Sequence, residues 1–317
     1  NVINHHLKYM ANRNNVTEFI LLGLTENPKM QKIIFVVFSV IYINAMIGNV
    51  LIVVTITASP SLGSPMYLFL AYLSFIDACY SSVNTPNLIT HSLYGKKAIL
   101  FNGCMTQVFG EHFFGGAEGI LLTVMAYDRY VAICKPLQYS SIITDQFVAR
   151  AAIFVVARNG LLTMPIPILS SRLRYCAGHI IKNCICTNVS VSKLSCDDIT
   201  LNQSYQFVIG WTLLGSDLIL IVLSYFFILK TVLRIKGEGD MAKALGTCGS
   251  HFILILFFTT VLLVLVITNL ARKRIPPDVP ILLNILHHLI PPALNPIVYG
   301  VRTKEIKQGI QNLLRRL

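Results

Sequence analysis

Seven apolar runs alternate with short polar stretches along the chain, at about 33–58, 66–90, 102–126, 147–170, 205–229, 251–271 and 280–300. The first reads IIFVVFSVIYINAMIGNVLIVVTITA and the sixth FILILFFTTVLLVLVITNLA. Each is long enough to cross a hydrocarbon core of about 30 Å as a helix. Water cannot satisfy an open strand edge at that depth, so the runs predict helices. A membrane barrel would need short segments of alternating polarity, and the chain has none. The pattern predicts an all-α membrane protein, a seven-transmembrane helix bundle. Residues 1–31 then form an extracellular N-terminal tail, 32–301 the membrane domain and 302–317 a short cytoplasmic amphipathic helix.

Composition agrees. Of 317 residues, 54% are hydrophobic and only 13% charged, where a soluble chain carries roughly a quarter charged residues. Mean hydropathy is +0.65. Ionisable or imidazole groups within the runs include Asp77, Glu111, His112, Glu118, Arg158, Asp217, His251, His287 and His288. Charge at membrane depth is costly, so these groups are expected to face the bundle interior or water. Arg158 has the further choices of snorkelling or pairing, and Glu111 of lying near the outer surface.

The net charge of +12 arises from 26 basic and 14 acidic residues. The basic residues sit in short clusters between apolar runs, which suits lipid headgroups rather than a nucleic-acid-binding face. With the N-terminus outside, 12 Lys and Arg fall on the cytoplasmic side and 13 outside, with Arg158 within a span. Charge therefore assigns no orientation. The acceptor patterns Asn15-Val-Thr17, Asn188-Val-Ser190 and Asn202-Gln-Ser204 do better, because all lie on one side of a seven-span chain and predict that side as lumenal or extracellular. Four of the eight cysteines, Cys176, Cys184, Cys186 and Cys196, crowd the loop after span four, and Cys104 opens span three. An outward loop is oxidising, and the CxxC spacing usual for zinc is missing, so disulfides are favoured. The polar N-terminal stretch lacks the apolar core of a signal peptide, so span one is expected to act as its own insertion signal. Met10 opens MANRNNVTEFILLGL, and residues 1–9 read as lying upstream of a start.

The end of the third run is the most specific segment: Met125-Ala126-Tyr127-Asp128-Arg129-Tyr130-Val131-Ala132-Ile133-Cys134-Lys135-Pro136-Leu137. This run resembles the signature of vertebrate olfactory receptors, a branch of the rhodopsin-like G-protein-coupled receptors. Further similar stretches are EFILLGL (18–24), GNVLIV (48–53), PMYLFLAYLSFID (65–77), KALGTCGSH (243–251) and PPALNPIVYG (291–300), so the resemblance covers essentially residues 11–317. Residues 10–139 resemble the tetrapod-type (class II) branch, and from about Ser140 the chain resembles the fish-like (class I) branch. That change suggests a hybrid joined near Pro136–Thr144. Leu68, Asn87, Gly246 and Thr259 depart from residues common in the family.

The motifs have a physical reading of their own. Asp128 beside Arg129 at a helix end is a neutralised pair that can open and free a cation. Asn295-Pro296-Ile297-Val298-Tyr299 puts a proline inside span seven, which frees a carbonyl and permits a kink. Asn295 is then a local hydrogen-bond partner. Asp77 and Glu118 are expected to point inward beside Asn49 and Asn295, where they share a proton, form a plain polar network or hold a cation.

The remaining assignments follow from the resemblance alone. It implies that Arg129, with Asp128 and Tyr130, engages a heterotrimeric olfactory-type Gs protein and tyrosines of spans five and seven, matched here by Tyr225 and Tyr299. It implies disulfides Cys104–Cys186 and Cys176–Cys196, with Cys184 left over, and a sodium ion at Asp77 and Glu118 as an allosteric ion. It places an odorant pocket among His112, Gly115, Gly116, Ile209, Leu213, Thr259, Val266 and Ile285. This lining is mostly apolar, which suits a small neutral volatile. Val266 and Leu270 stand where acid-binding receptors carry serine and arginine, so carboxylate odorants are not supported. The implied location is the plasma membrane of olfactory neuron cilia. A retinal-linked pump is excluded by the lack of lysine in 280–300, a transporter by the lack of an internal repeat, and an enzyme by the lack of a nucleophile–base set. The rival reading is a receptor-like chain, hybrid or inactive, that reaches a membrane and signals nothing.

Overall fold

The structure, a computed structural model, describes residues 16–22, 25, 27–94, 96–176, 178–234, 248–249, 252–253, 255–256, 259–260, 263 and 278–316. Most of the sixth apolar run and the loop before it therefore lie outside the described residues. So do Asn15 and Val266 among the expected site residues.

The principal helices are α1 (Pro28–Ala58), α2 (Pro65–Tyr94), α3 (Phe101–Cys134), α4 (Asp145–Thr163), α5 (Thr200–Val232), α6 (Asp278–Arg302) and α7 (Lys304–Arg316). Among the described residues, five helical stretches are long and apolar enough to cross a membrane: Pro28–Ala58, Pro65–Thr90, Asp145–Ser171, Thr200–Val232 and Ile281–Gly300. α1 has 31 residues, roughly 46 Å at 1.5 Å per residue, so it exceeds the hydrocarbon core and must tilt or protrude. α3 is not in that set. Its 34 residues carry Glu111, Glu118, Asp128 and Arg129, and the last three are buried within the protein. A helix that carries its charges buried within protein has low mean hydropathy.

Proline shapes two of the spans. The fourth breaks at Met164 and resumes as Pro165–Ser171, because proline has no N–H to continue the ladder but fits the first turn of the next segment. α6 contains Pro291, Pro292 and Pro296, and its freed carbonyls need donors from elsewhere.

The chain divides into two compact units. One comprises Asn1–Val40, Ser82–Phe113 and Gly160–Gly210; the other comprises Ile41–Ser81, Phe114–Asn159 and Trp211–Leu317. The first holds a small sheet that helical periodicity did not predict, with strands β1 (Glu18–Leu22), β2 (Lys96–Leu100) and β3 (Ile180–Ile181) in the order β2-β1-β3. β1 runs antiparallel to β2, with Glu18 opposite Leu100 and Leu22 opposite Lys96, and parallel to β3. The alternate residues Phe19 and Leu21 are fully buried among Ile99, Cys104, Val108, Tyr175 and Ile181. The tail of the sequence reading thus contains an ordered strand. Its five residues are too few for a two-residue period to stand out.

Two disulfides close the loop region of this unit, Cys104–Cys186 with Cα atoms 5.4 Å apart and Cys176–Cys196 at 5.8 Å. Cys184 stays outside both. Beside the second bond, Arg174 donates from its backbone N–H to Asp197 Oδ2 at 2.7 Å and from Nε to Oδ1 at 2.8 Å.

The second unit is built on a buried cluster that includes Ile52, Phe69, Leu73, Leu121, Met125, Ile221, Tyr225 and Tyr299. α7 joins it through Ile306, which is fully buried, while Lys304, Lys307 and Arg315 lie on the polar remainder of that helix.

Candidate functional site

At the end of α3, Arg129 donates to Asp128 Oδ2 from Nε at 3.0 Å and from a terminal nitrogen at 2.5 Å. The other carboxylate oxygen accepts from the Tyr139 hydroxyl at 2.7 Å. Burial, followed by this hydrogen bond to Asp128, pushes the Tyr139 phenol well above its ordinary range. Tyr139 is therefore a donor at any physiological pH. Both residues of the ion pair are buried, and both oxygens of the carboxylate are in use. Tyr139 is a site residue that sequence reading missed. It lies eleven residues beyond Asp128, past the helix, where no helical period links them.

Tyr225 and Tyr299 lie in the same buried cluster as Met125 and Ala126, one turn before Arg129. The Tyr225 ring packs 5.5 Å from Phe252. The Tyr299 hydroxyl is buried with no hydrogen-bond partner among the described residues. Tyr130 is partly buried and packs against that cluster, with Lys135 Nζ 5.9 Å from its ring centre.

Deeper in the same unit, Asn295 Nδ2 donates to Asp77 Oδ2 at 2.7 Å and to Glu118 Oε1 at 3.4 Å. One amide thus bridges two buried acids, as the inward placement of Asp77 and Glu118 anticipated. The carbonyl freed by Pro296 has a different partner from the one expected. Asn49 Nδ2, not Asn295, donates to Pro292 O at 2.8 Å and also to Ala45 O at 2.9 Å. Pro296 is four residues after Pro292 and has no N–H, so the Asn49 amide replaces the missing helical donor.

The expected odorant-contact residues divide between the units. In the second, Gly115 faces Tyr80, whose hydroxyl would lie 3.6 Å from an added Cβ. Gly116 is occupied closely: a Cβ there would stand 2.5 Å from Asn159 Oδ1 and 3.9 Å from Leu213. Ile285 and Leu213 are buried, and Thr259 is half-buried. In the first unit Ile209 is half-buried, and His112 is held at both nitrogens. Nδ1 donates to Val108 O at 2.8 Å, because a carbonyl only accepts. Nε2 is left to accept from Gln206 Nε2 at 3.0 Å.

Gln206 belongs to a buried amide network. Asn188 Nδ2 donates to Gln206 Oε1 at 2.6 Å and to Asn202 Oδ1 at 2.8 Å; Asn202 donates to Ser170 Oγ at 2.7 Å, and Ser170 donates back to Asn188. Two of the expected glycan acceptors sit in this network. Asn188 and Asn202 are 0% and 3% exposed, and the nitrogen that would carry the sugar donates within the network. A glycan on either would take the donor nitrogen out of this ring. The three-residue pattern carries no information about burial.

Helices of membrane-spanning length, a buried acid–arginine pair ending α3, and a proline-broken helix tied back to α1 describe a helical membrane protein. The olfactory receptor family profile matches residues 38–316. Human Olfactory receptor 56A5 is 73% identical over 302 residues, covering 95% of this chain and 96% of its own length. Human Olfactory receptor 56A4 is 64% identical over 302 residues, and mouse Olfactory receptor 56B34 is 42% identical over 298. The chain belongs to the olfactory receptor family. It is a multi-pass membrane protein of the G-protein-coupled class and not an enzyme, and its fold class is the seven-helix bundle. A single relative covering 95% of the chain must run through residues 136–144. One relative therefore aligns across the expected join near Pro136–Thr144.

Proposed function

We propose that the protein is an odorant receptor for a small, neutral, apolar volatile, and that it activates an olfactory-type Gs protein to raise cAMP. The N-terminal tail and the disulfide-bonded loops face the exterior, and α7 lies against the inner leaflet. The odorant selects an arrangement of helices in which the inner face opens. The observation that carries this reading is the closed Asp128–Arg129–Tyr139 group. A buried cation held by one carboxylate, with both carboxylate oxygens in use, is a two-state element whose opening exposes a charge to a partner.

His112, Gly115, Gly116, Ile209, Leu213, Thr259, Val266 and Ile285 remain the proposed ligand contacts, with Gly116 limited to ligands that leave Asn159 in place. Asp77, Glu118 and Asn295 fit a monovalent cation: two acids converge on one amide, and Asp77 Oδ1 has no partner among the described residues. A sodium ion bound there would supply positive charge that lets both acids stay ionised.

The test is surface labelling combined with a cAMP reporter across a panel of neutral volatiles. An odorant response that Arg129→Ala abolishes at unchanged surface level is expected. A response that survives in Arg129→Ala overturns the mechanism. A wild-type chain that is labelled at the surface yet silent throughout supports the inactive-receptor alternative.

A further inference from the structure

Two charges inside the second unit are used by none of the mechanism above. Arg158 of α4 forks onto Asp217 of α5, with one terminal nitrogen 2.9 Å from Oδ1 and the other 3.2 Å from Oδ2. The first nitrogen also reaches Ser216 Oγ at 3.2 Å and the Leu213 carbonyl at 3.4 Å. The guanidinium therefore grips one turn of α5 by side chain and backbone together. α3 closes on the same point. Thr123 Oγ1, which donates to the Gly119 carbonyl at 3.1 Å, also lies 3.4 Å from the Asp217 carbonyl, and a Cβ on Gly119 would lie 3.3 Å from Asp217 Oδ2.

The Asp217 side chain is 3% exposed and that of Arg158 12%. Burying two charges costs desolvation that their attraction rarely exceeds, so a pair of this kind is a poor source of stability. What it does supply is register. A bidentate fork tolerates little rotation or sliding of α5, because either movement leaves a charge unpaired in a medium that cannot solvate it. In the same structure Arg129 is closed on Asp128. At the inner end of α5, Cys134 Sγ sits 3.2 Å from Thr231 Oγ1 and 3.6 Å from the Phe227 carbonyl. The gripped turn and the inner end thus belong to one continuous helix in one position.

We propose that the Arg158–Asp217 pair is a lock that holds α5 in register against α4 and α3 in the resting receptor, so that opening it favours the signalling state. Both are positioning residues, acting through α5 and not on the odorant. The inference rests on the receptor reading above.

The experiment compares the wild type with Asp217→Asn, with Arg158→Met/Asp217→Leu, which leaves no unpaired charge, and with the swap Arg158→Asp/Asp217→Arg. Surface level, agonist-independent cAMP and the rate at which a membrane-permeant thiol reagent labels Cys134 are measured in each. Unpairing is expected to raise basal cAMP about threefold, the population shift for an interhelical bond of ordinary strength in a membrane. Cys134 labelling should quicken in parallel, and the swap should return both toward wild type. The apolar double variant should reach the surface, because it buries no lone charge. If it does so with wild-type basal cAMP and wild-type Cys134 labelling, or fails to reach the surface at all, the lock is wrong. Quickened Cys134 labelling without any cAMP change keeps the lock and overturns the Gs assignment instead.

Discussion

The side-chain amide of Asn49 donates to the carbonyl of Pro292 at 2.8 Å, an acceptor that Pro296 deprives of its helical N–H. The backbones approach closely beside it: a Cβ on Gly48 would lie 2.9 Å from two carbons of the Pro296 ring. Asn49 and Gly48 therefore act together, one satisfying the broken helix and the other admitting it. Gly48→Ala is expected to cost about 1–3 kcal/mol through overpacking. Asn49→Ala should cost about as much, by leaving a buried carbonyl unpaired. Thermal unfolding of the detergent-solubilised receptor measures both.

Asn295 stands between two acids, so its loss brings them into direct opposition. Asn295→Leu is expected to destabilise the receptor by about 1–3 kcal/mol, the usual cost of unpaired buried acceptors. If a sodium ion binds here, Asp77→Asn should abolish any sodium-dependent rise in melting temperature while leaving the potassium value unchanged. A sodium effect that persists in Asp77→Asn removes the ion from this site.

The Cys104–Cys186 bond closes a loop of 82 residues and ties the start of α3 to the buried side of the small sheet. Cys104→Ser should lose about 2–5 kcal/mol, the range for native disulfides in disulfide-dependent folds. Surface labelling is expected to fall sharply. Cys184→Ser, outside both bonds, should leave it near wild type.

Glycan occupancy separates the three sequons. Asn15→Gln is expected to remove the whole shift that enzymatic deglycosylation produces on a gel. Asn188→Gln and Asn202→Gln should leave the shift unchanged while lowering the surface level, since each breaks the amide ring. Loss of a glycan band in either variant would contradict the burial of these side chains.

The Arg174–Asp197 clamp supplies a pH dependence. Side-chain hydrogen bonds from Arg174, then its backbone N–H, hold the Asp197 carboxyl below the usual carboxylate range. A carboxyl lowered in the folded state stabilises above its unfolded value, about 3.9, and loses that contribution as pH falls through the folded value. Between pH 5 and 8 the clamp is complete. Arg174 is exposed and Asp197 half-buried, so salt should weaken it. The melting difference between wild type and Arg174→Ala should therefore be small, flat above pH 5, and reduced below about pH 4 or in high salt.

The linear order of residues already determined the membrane-spanning runs, the inward placement of Asp77 and Glu118, and the Asp128–Arg129 element. Hydrophobic length and the cost of charge in hydrocarbon are properties of local sequence. So is the proline that breaks α6. Partnership is not local. Only the tertiary structure decided that Asn49 and not Asn295 meets the freed carbonyl, that Tyr139 completes the arginine pair, and that Asn188 and Asn202 share one buried amide network. The same holds for Arg158 and Asp217, 59 residues apart in the chain and bound by a fork. Hydrogen bonds act over about 3 Å, and which groups come that close is set by how helices rotate and pack, which no spacing along one chain records.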